Sequence, residues 1–122
     1  MEEEEIVPFA LIEHVPVFPG CEGLDSEEER KKCFNQKVQE HVKNTFQYPK
    51  AALEMGISGK VSVQFVIDSN GKVTNIKHRG PDRLLEQEAV RIISLLPQVK
   101  PGIQRGRPAK VTYAIPIKFK ML

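Results

Sequence analysis

Between Arg107 and Phe119 apolar and polar residues alternate one by one. Val111, Tyr113, Ile115, Ile117 and Phe119 fall on one side; Thr112, Ala114, Pro116 and Lys118 fall on the other. That period of two is the mark of a half-buried β-strand. A second alternating run, Val61, Val63, Phe65 and Ile67, leads into Ser69, Asn70 and Gly71 and then into a returning run, residues 72–78. Asn and Gly accept the positive φ of a tight turn, so the two runs predict an antiparallel hairpin. In the returning run Val73 and Ile76 are an odd number of residues apart. Both can face the core only if a bulge lies near Thr74 and Asn75.

Helical spacing appears elsewhere. Phe34, Val38, Val42 and Phe46 form one stripe within residues 25–46, and Ser26 with Glu29 fits a capping box at its start. Residues 49–56 predict a short helical turn, opened by Pro49 and closed by Gly56. Leu85, Ala89, Ile92, Ile93 and Leu96 form a second stripe, with Asp82 as N-cap and Pro97 as the stop.

The order helix, strand, strand, helix, strand predicts an α+β fold. A three-stranded antiparallel or mixed sheet, the hairpin plus a C-terminal edge strand, packs on two helices. A right-handed crossover puts the last strand beside the first strand of the hairpin. There Pro116 is tolerated, because its missing N–H can face outward from an edge. Pro116, Lys118 and Lys120 guard only the far end of that edge. The stretch of Lys110, Val111, Thr112, Tyr113, Ala114 and Ile115 contains no proline, so it predicts a site of strand addition by an extended partner.

The division expected is an extended arm, residues 1–24, ahead of a domain over residues 25–122. Pro8, Pro16 and Pro19 keep the arm out of a helix, yet Ile6, Val7, Phe9, Ile12, Val15 and Phe18 are too apolar for a free linker. Charge divides the same way. Ten acidic residues and no Lys or Arg precede Arg30; seven Lys or Arg and no acid follow Glu88. The basic end includes Lys100, Arg105, Arg107 and Lys110, but it lacks the dense clustering and interleaved aromatics of a nucleic-acid surface. An acidic, apolar, extended arm suits a basic edge. Three placements stay open: along that edge, in competition with a partner; on another face; or swapped onto a neighbouring molecule.

No run reaches the roughly 20 apolar residues of a membrane span, and the glutamates after Met1 are not a signal peptide. Cys21 and Cys33 fit either two buried thiols or one disulfide. His14, His41 and His78 are scattered, without ligand or triad spacing, and there is no nucleophile turn or phosphate loop. The expectation is a non-enzymatic module with no metal or cofactor.

Two longer runs, residues 48–76 and 85–119, resemble the C-terminal domain of the TonB energy transducers of Gram-negative bacteria. The resemblance lies in Tyr48 and Pro49, Gly56, Gly59, the 61–67 strand, Gly71 to Val73, Pro97, Pro101 and Gly102, Gly106, and Ile115 to Phe119. The arm's VPVFPGCEG and Cys33 are similar to TonB-like proteins of the Bacteroidetes. Val99 departs from the family, which commonly has Trp there.

The resemblance implies a periplasmic fragment of an inner-membrane-anchored protein, with its anchor outside this chain. Its partners would be the TonB box of outer-membrane transporters and, through the missing N-terminal region, an inner-membrane motor of the ExbB/ExbD type. It implies binding by strand addition and energy transfer for nutrient uptake. Gln47, just before Tyr48 and Pro49, becomes a further contact candidate beside residues 110–115, Arg105 and Arg107. A periplasmic setting also implies a Cys21–Cys33 disulfide. Two alternatives stand beside this: the same domain in a membrane metallopeptidase-like sensor, or a structural cell-wall-associated module.

Overall fold

The computed structural model describes residues 5–121; residues 1–4, including most of the opening glutamate run, and Leu122 lie outside the described residues. Along the chain come β1 (Ile6–Pro8), α1 (Glu27–Thr45), α2 (Lys50–Glu54), β2 (Gly59–Ile67), β3 (Val73–Arg79), α3 (Arg83–Ser94), β4 (Gly102–Gln104) and β5 (Arg107–Phe119). The strands lie in the order β1-β5-β2-β3, and β4 also pairs with β5. The expected three-stranded core is therefore present, extended by two strands of three residues each. Strands that short leave no periodicity to read in a sequence.

The helices start where their caps dictate. Ser26 Oγ accepts the Glu29 N–H at 3.1 Å, and Asp82 Oδ1 accepts the Leu84 N–H at 2.7 Å. Each satisfies a donor that has no partner inside its helix, an effect of about 1 kcal/mol. Phe34 and Val38 of α1 and Leu85, Ala89, Ile92 and Ile93 of α3 are buried against one face of the sheet. The sheet supplies Val61, Val63, Phe65 and Ile67 from β2 and Ile115, Ile117 and Phe119 from β5. On the other face Lys60, Ser62, Gln64, Ala114, Pro116 and Lys118 are exposed.

β2 pairs antiparallel with β3 and with β5, so β3 and β5 run the same way on either side of it. The helix α3 makes the connection that this arrangement requires. The bulge sits on β3: Gln64 faces Lys77 and Val66 faces Thr74, leaving one extra residue on that strand. Asn75 absorbs it with φ of 55°, which Asn tolerates better than most residues. The hairpin turn is closed from outside. Gly71 has φ of +79°, and a Cβ there would lie 1.6 Å from the Val99 carbonyl oxygen. Val99 N–H in turn donates to Gly71 O at 2.9 Å. Buried Val99 thus docks the segment after α3 onto the turn.

Candidate functional site: the outer edge of β5

The arm folds back over the domain along its length. β1 pairs in parallel with β5, Ile6 with Lys110, Val7 with Val111 and Pro8 with Thr112. The Phe9 N–H continues the ladder to Thr112 O at 3.0 Å. The chain then turns and runs beside the segment leading into β4, with bridges from His14 to Ile103 and from Val17 to Lys100. Gly102 is needed here: a Cβ would come within 2.7 Å of both Ile12 and Val111 side chains.

Two further contacts hold the arm. Glu27, in the first turn of α1, accepts from His14 Nδ1 at 2.8 Å, from the Val15 N–H at 3.2 Å and from Arg30 at 3.0 Å. Burial opposes its charge, but the His14 and Val15 hydrogen bonds and the Arg30 charge outweigh it and hold the carboxyl below its usual range. Beyond that, Cys21 and Cys33 are joined as a disulfide between the end of the arm and α1. Val7, Ile12 and Val15 form a small core with Ala109 and Val111, while Phe18 and Cys21 join the main one.

The outer side of β5 is consequently divided. The pattern of alternation predicts an edge open over residues 110–115; the structure corrects this for Lys110, Val111 and Thr112, whose outer side is taken by β1. Alternation reports which face of a strand is buried, but not whether a distant segment has returned to pair with its backbone. From Tyr113 to Phe119 no described strand pairs with β5 on the side opposite β2. This open half includes Tyr113, Ala114 and Ile115, and then Pro116 and Lys118.

At the junction of the halves lies a shallow cleft of about 400 Å³, between Pro8, Phe9 and Ala10 of the arm and Thr112, Tyr113 and Ala114 of β5. Two of its lining side chains, Phe9 and Tyr113, belong to a cluster of rings. Tyr113 meets Phe9 edge-on at 5.0 Å, Phe34 at 5.2 Å and Phe65 at 5.6 Å between centroids. Tyr113 Oη donates to Asn35 Oδ1 at 2.6 Å, and burial pushes its phenol up to about 12.

The other predicted contacts fall at the two ends of β5. Arg105 lies in the β4–β5 turn and Arg107 opens β5. Arg105 has φ of 54°, and its N–H reaches Glu13 of the arm at 3.3 Å. Gln47 lies at the opposite end, where neighbouring Phe46 and Tyr48 pack on Phe119. Since β5 rises about 3.3 Å per residue, the two ends are roughly 40 Å apart. The structure does not bring Gln47 together with the arginines.

What sets the Gln47 segment is a pair that the apolar stripes do not reveal. Glu88, a buried carboxylate on α3, accepts the Gln47 N–H at 2.7 Å and two guanidinium N–H groups of Arg91 at 2.6 and 2.8 Å. Arg91 also donates to Thr45 O at 2.7 Å, capping the last turn of α1. The Glu88 hydrogen bonds hold the Arg91 guanidinium proton more firmly than usual. The available signal was position: Glu88 sits three after Leu85 and four before Ile92, on the buried face of the helix. The histidines likewise serve as ties. His41 Nε2 donates to Ile92 O at 2.8 Å, linking α1 to α3, and His78 lies 3.5 Å from Glu86.

The domain is thus a small α+β fold whose last long strand leaves half of its outer edge unpaired by any described strand. Residues 44–121 match the family described as Gram-negative bacterial TonB protein C-terminal. The chain belongs to that TonB C-terminal family. Protein TonB of Yersinia enterocolitica is 40% identical over 48 residues, which is 38% of this chain and 19% of that protein. The match thus spans about a fifth of the length of that relative.

The C-terminal domain of Helicobacter pylori TonB, solved by NMR in solution as residues 179–285, superposes with a TM-score of 0.60 at 27% identity, covering 85% of this chain and 91% of the other. A shorter fragment of the same domain, residues 194–285, gives a TM-score of 0.51 at 29% identity and covers 71% and 92%. The larger coverage exceeds the family segment, so the likeness extends into the residues before 44. No described helix is long and apolar enough to cross a membrane.

Proposed function

We propose that this domain captures an extended peptide, the TonB box of an outer-membrane transporter, by strand addition on the outer edge of β5. It then passes on force for nutrient uptake. The parallel pairing of β1 carries this reading: the edge accepts an added strand, because a segment of the same chain already lies on it. The open half continues that ladder over Tyr113, Ala114 and Ile115. Family membership supplies the partner class. A periplasmic location and an inner-membrane anchor, coupled to a motor of the ExbB/ExbD type through a preceding region, belong to the same proposal. Lys110, Val111, Thr112, Tyr113, Ala114 and Ile115 offer backbone. Arg105 and Arg107 offer charge near the arm end, and Gln47 a polar contact past Phe119.

In strand addition only alternate peptide N–H groups face the acceptor strand. The test is therefore a TonB-box peptide N-methylated on one alternate set of residues or on the other, titrated against the unaltered domain. One set should abolish binding and the other should bind like the parent peptide. Equal binding by both would show that the main chain is not what is recognised.

A further inference from the structure

The arm has two parts that differ in how firmly they are held. Its base, residues 12–21, is tied by the His14 and Val17 bridges, by Glu27 and by the disulfide. Its tip, residues 6–11, depends on one strand of three residues, the Phe9 hydrogen bond and two side chains. Those two are Val7, 6% exposed, and Phe9, packed between Phe34 and Tyr113 with ring centroids 5.0 Å from each. Ile6 and Leu11 remain 51% and 73% exposed. Pairing over only three residues, flanked by exposed side chains, is the kind of contact that opens first.

We infer that the tip is an intramolecular stand-in for the partner peptide: it fills the leading half of the β5 edge, and the transporter peptide must displace it to bind. This rests on the proposed strand addition. The tip also defines what the edge selects. An incoming strand runs parallel to β5 and places an aliphatic side chain where Val7 lies, against Val111, Ala109, Ile12 and Val15. Two residues later it places an aromatic or large apolar side chain where Phe9 lies. The intervening residue points outward, as exposed Pro8 does. The anchored base forms one wall of the first slot, so displacement of the tip leaves the slot intact. A carboxylate just upstream, as at Glu5, would approach the basic start of β5. The arm's base thus belongs to the receptor, and its tip imitates the ligand.

Three full-length chains test this. In the first, Ile6→Cys with Lys110→Cys staples the tip to the edge at a paired position, with each single cysteine variant as control. In the second, Val7→Asp expels the tip by burying a charge. The third is the unaltered chain. Two probes are titrated: a TonB-box peptide and a synthetic peptide of residues 3–11 of this chain. If the tip covers the edge nine-tenths of the time, Val7→Asp should bind the TonB-box peptide about tenfold tighter. The stapled chain should lose binding, and the residue 3–11 peptide should likewise bind Val7→Asp about tenfold tighter than the unaltered chain.

TonB-box binding to the stapled chain at parental affinity would overturn the inference while leaving the proposed function standing. If no chain binds the TonB-box peptide but Val7→Asp binds the residue 3–11 peptide, the stand-in tip survives and the transporter reading falls. Failure of Val7→Asp to bind either peptide, with the fold verified by its amide spectrum, overturns both.

Discussion

The two halves of the β5 edge solve the same problem differently. A strand edge is a row of unpaired donors and acceptors that invites unwanted pairing. Over residues 110–112 the chain covers that row with its own β1. Over residues 113–119 it leaves the row uncovered among the described residues, and protects it with Pro116, which lacks a donor, and with exposed Lys118 and Lys120. At the covered half, Val111 packs with Val7, Ile12 and Val15 of the arm. The uncovered half carries its protection in single residues. A segment can be displaced, whereas a proline cannot, which is why the proposal puts the partner's entry on the covered half.

The largest expected effect is on the anchor of the covered half. Cys21→Ala with Cys33→Ala removes a crosslink between residues 12 apart in sequence. Loop entropy predicts a loss of about 3 kcal/mol, read by chemical denaturation. Hydrogen exchange over residues 6–17 should quicken far more than over residues 113–119. Uniform quickening would mean that the arm and the domain open as one unit, and the distinction between the halves would break.

Next in size is Glu88→Ala, at the far end. It leaves the Gln47 N–H and the Arg91 guanidinium without their buried acceptor, which costs about 2 kcal/mol. Exchange of the Gln47 amide should rise while that of Phe9 stays as it is. A matching change at Phe9 would show that the two ends are coupled.

Tyr113, at the junction, has a smaller effect. Tyr113→Phe removes the hydrogen bond to Asn35 and should cost about 1 kcal/mol. It also alters the alkaline limb. The folded phenol ionises near 12 and the unfolded one near ~10. The unfolded state therefore releases its proton first, and the stability due to the neutral buried phenol is complete below the unfolded value and lost as pH rises through the folded one. The unaltered chain should lose stability more steeply than Tyr113→Phe over that window, and parallel curves would contradict a buried phenol.

Smallest in stability is Pro116→Ala, which should change unfolding by no more than about 0.5 kcal/mol because the site is exposed. Its effect should appear instead as concentration-dependent association, measured by sedimentation, because it restores a donor to the open half. No change in association would mean that Pro116 does not protect that edge.

The sequence by itself determined the parts whose physics is local. Alternation in residues 61–67 and 107–119 marked the two long strands and their buried faces, since side chains on a strand switch sides at every residue. Ser26 and Asp82 marked helix starts, and the odd spacing of Val73 and Ile76 marked the bulge. Family-specific residues such as Gly71 and Pro116 pointed to the right class of domain.

Only the tertiary structure decided which backbone edges are taken. The pairing of Ile6 with Lys110 spans more than a hundred residues, and three residues carry no period. The same holds for Glu88, whose charge counts against burial until Arg91, Thr45 and Gln47 are seen around it. Backbone pairing and buried polar contacts join groups far apart in the chain. Their free energy depends on a meeting that neither partner's own sequence neighbourhood records.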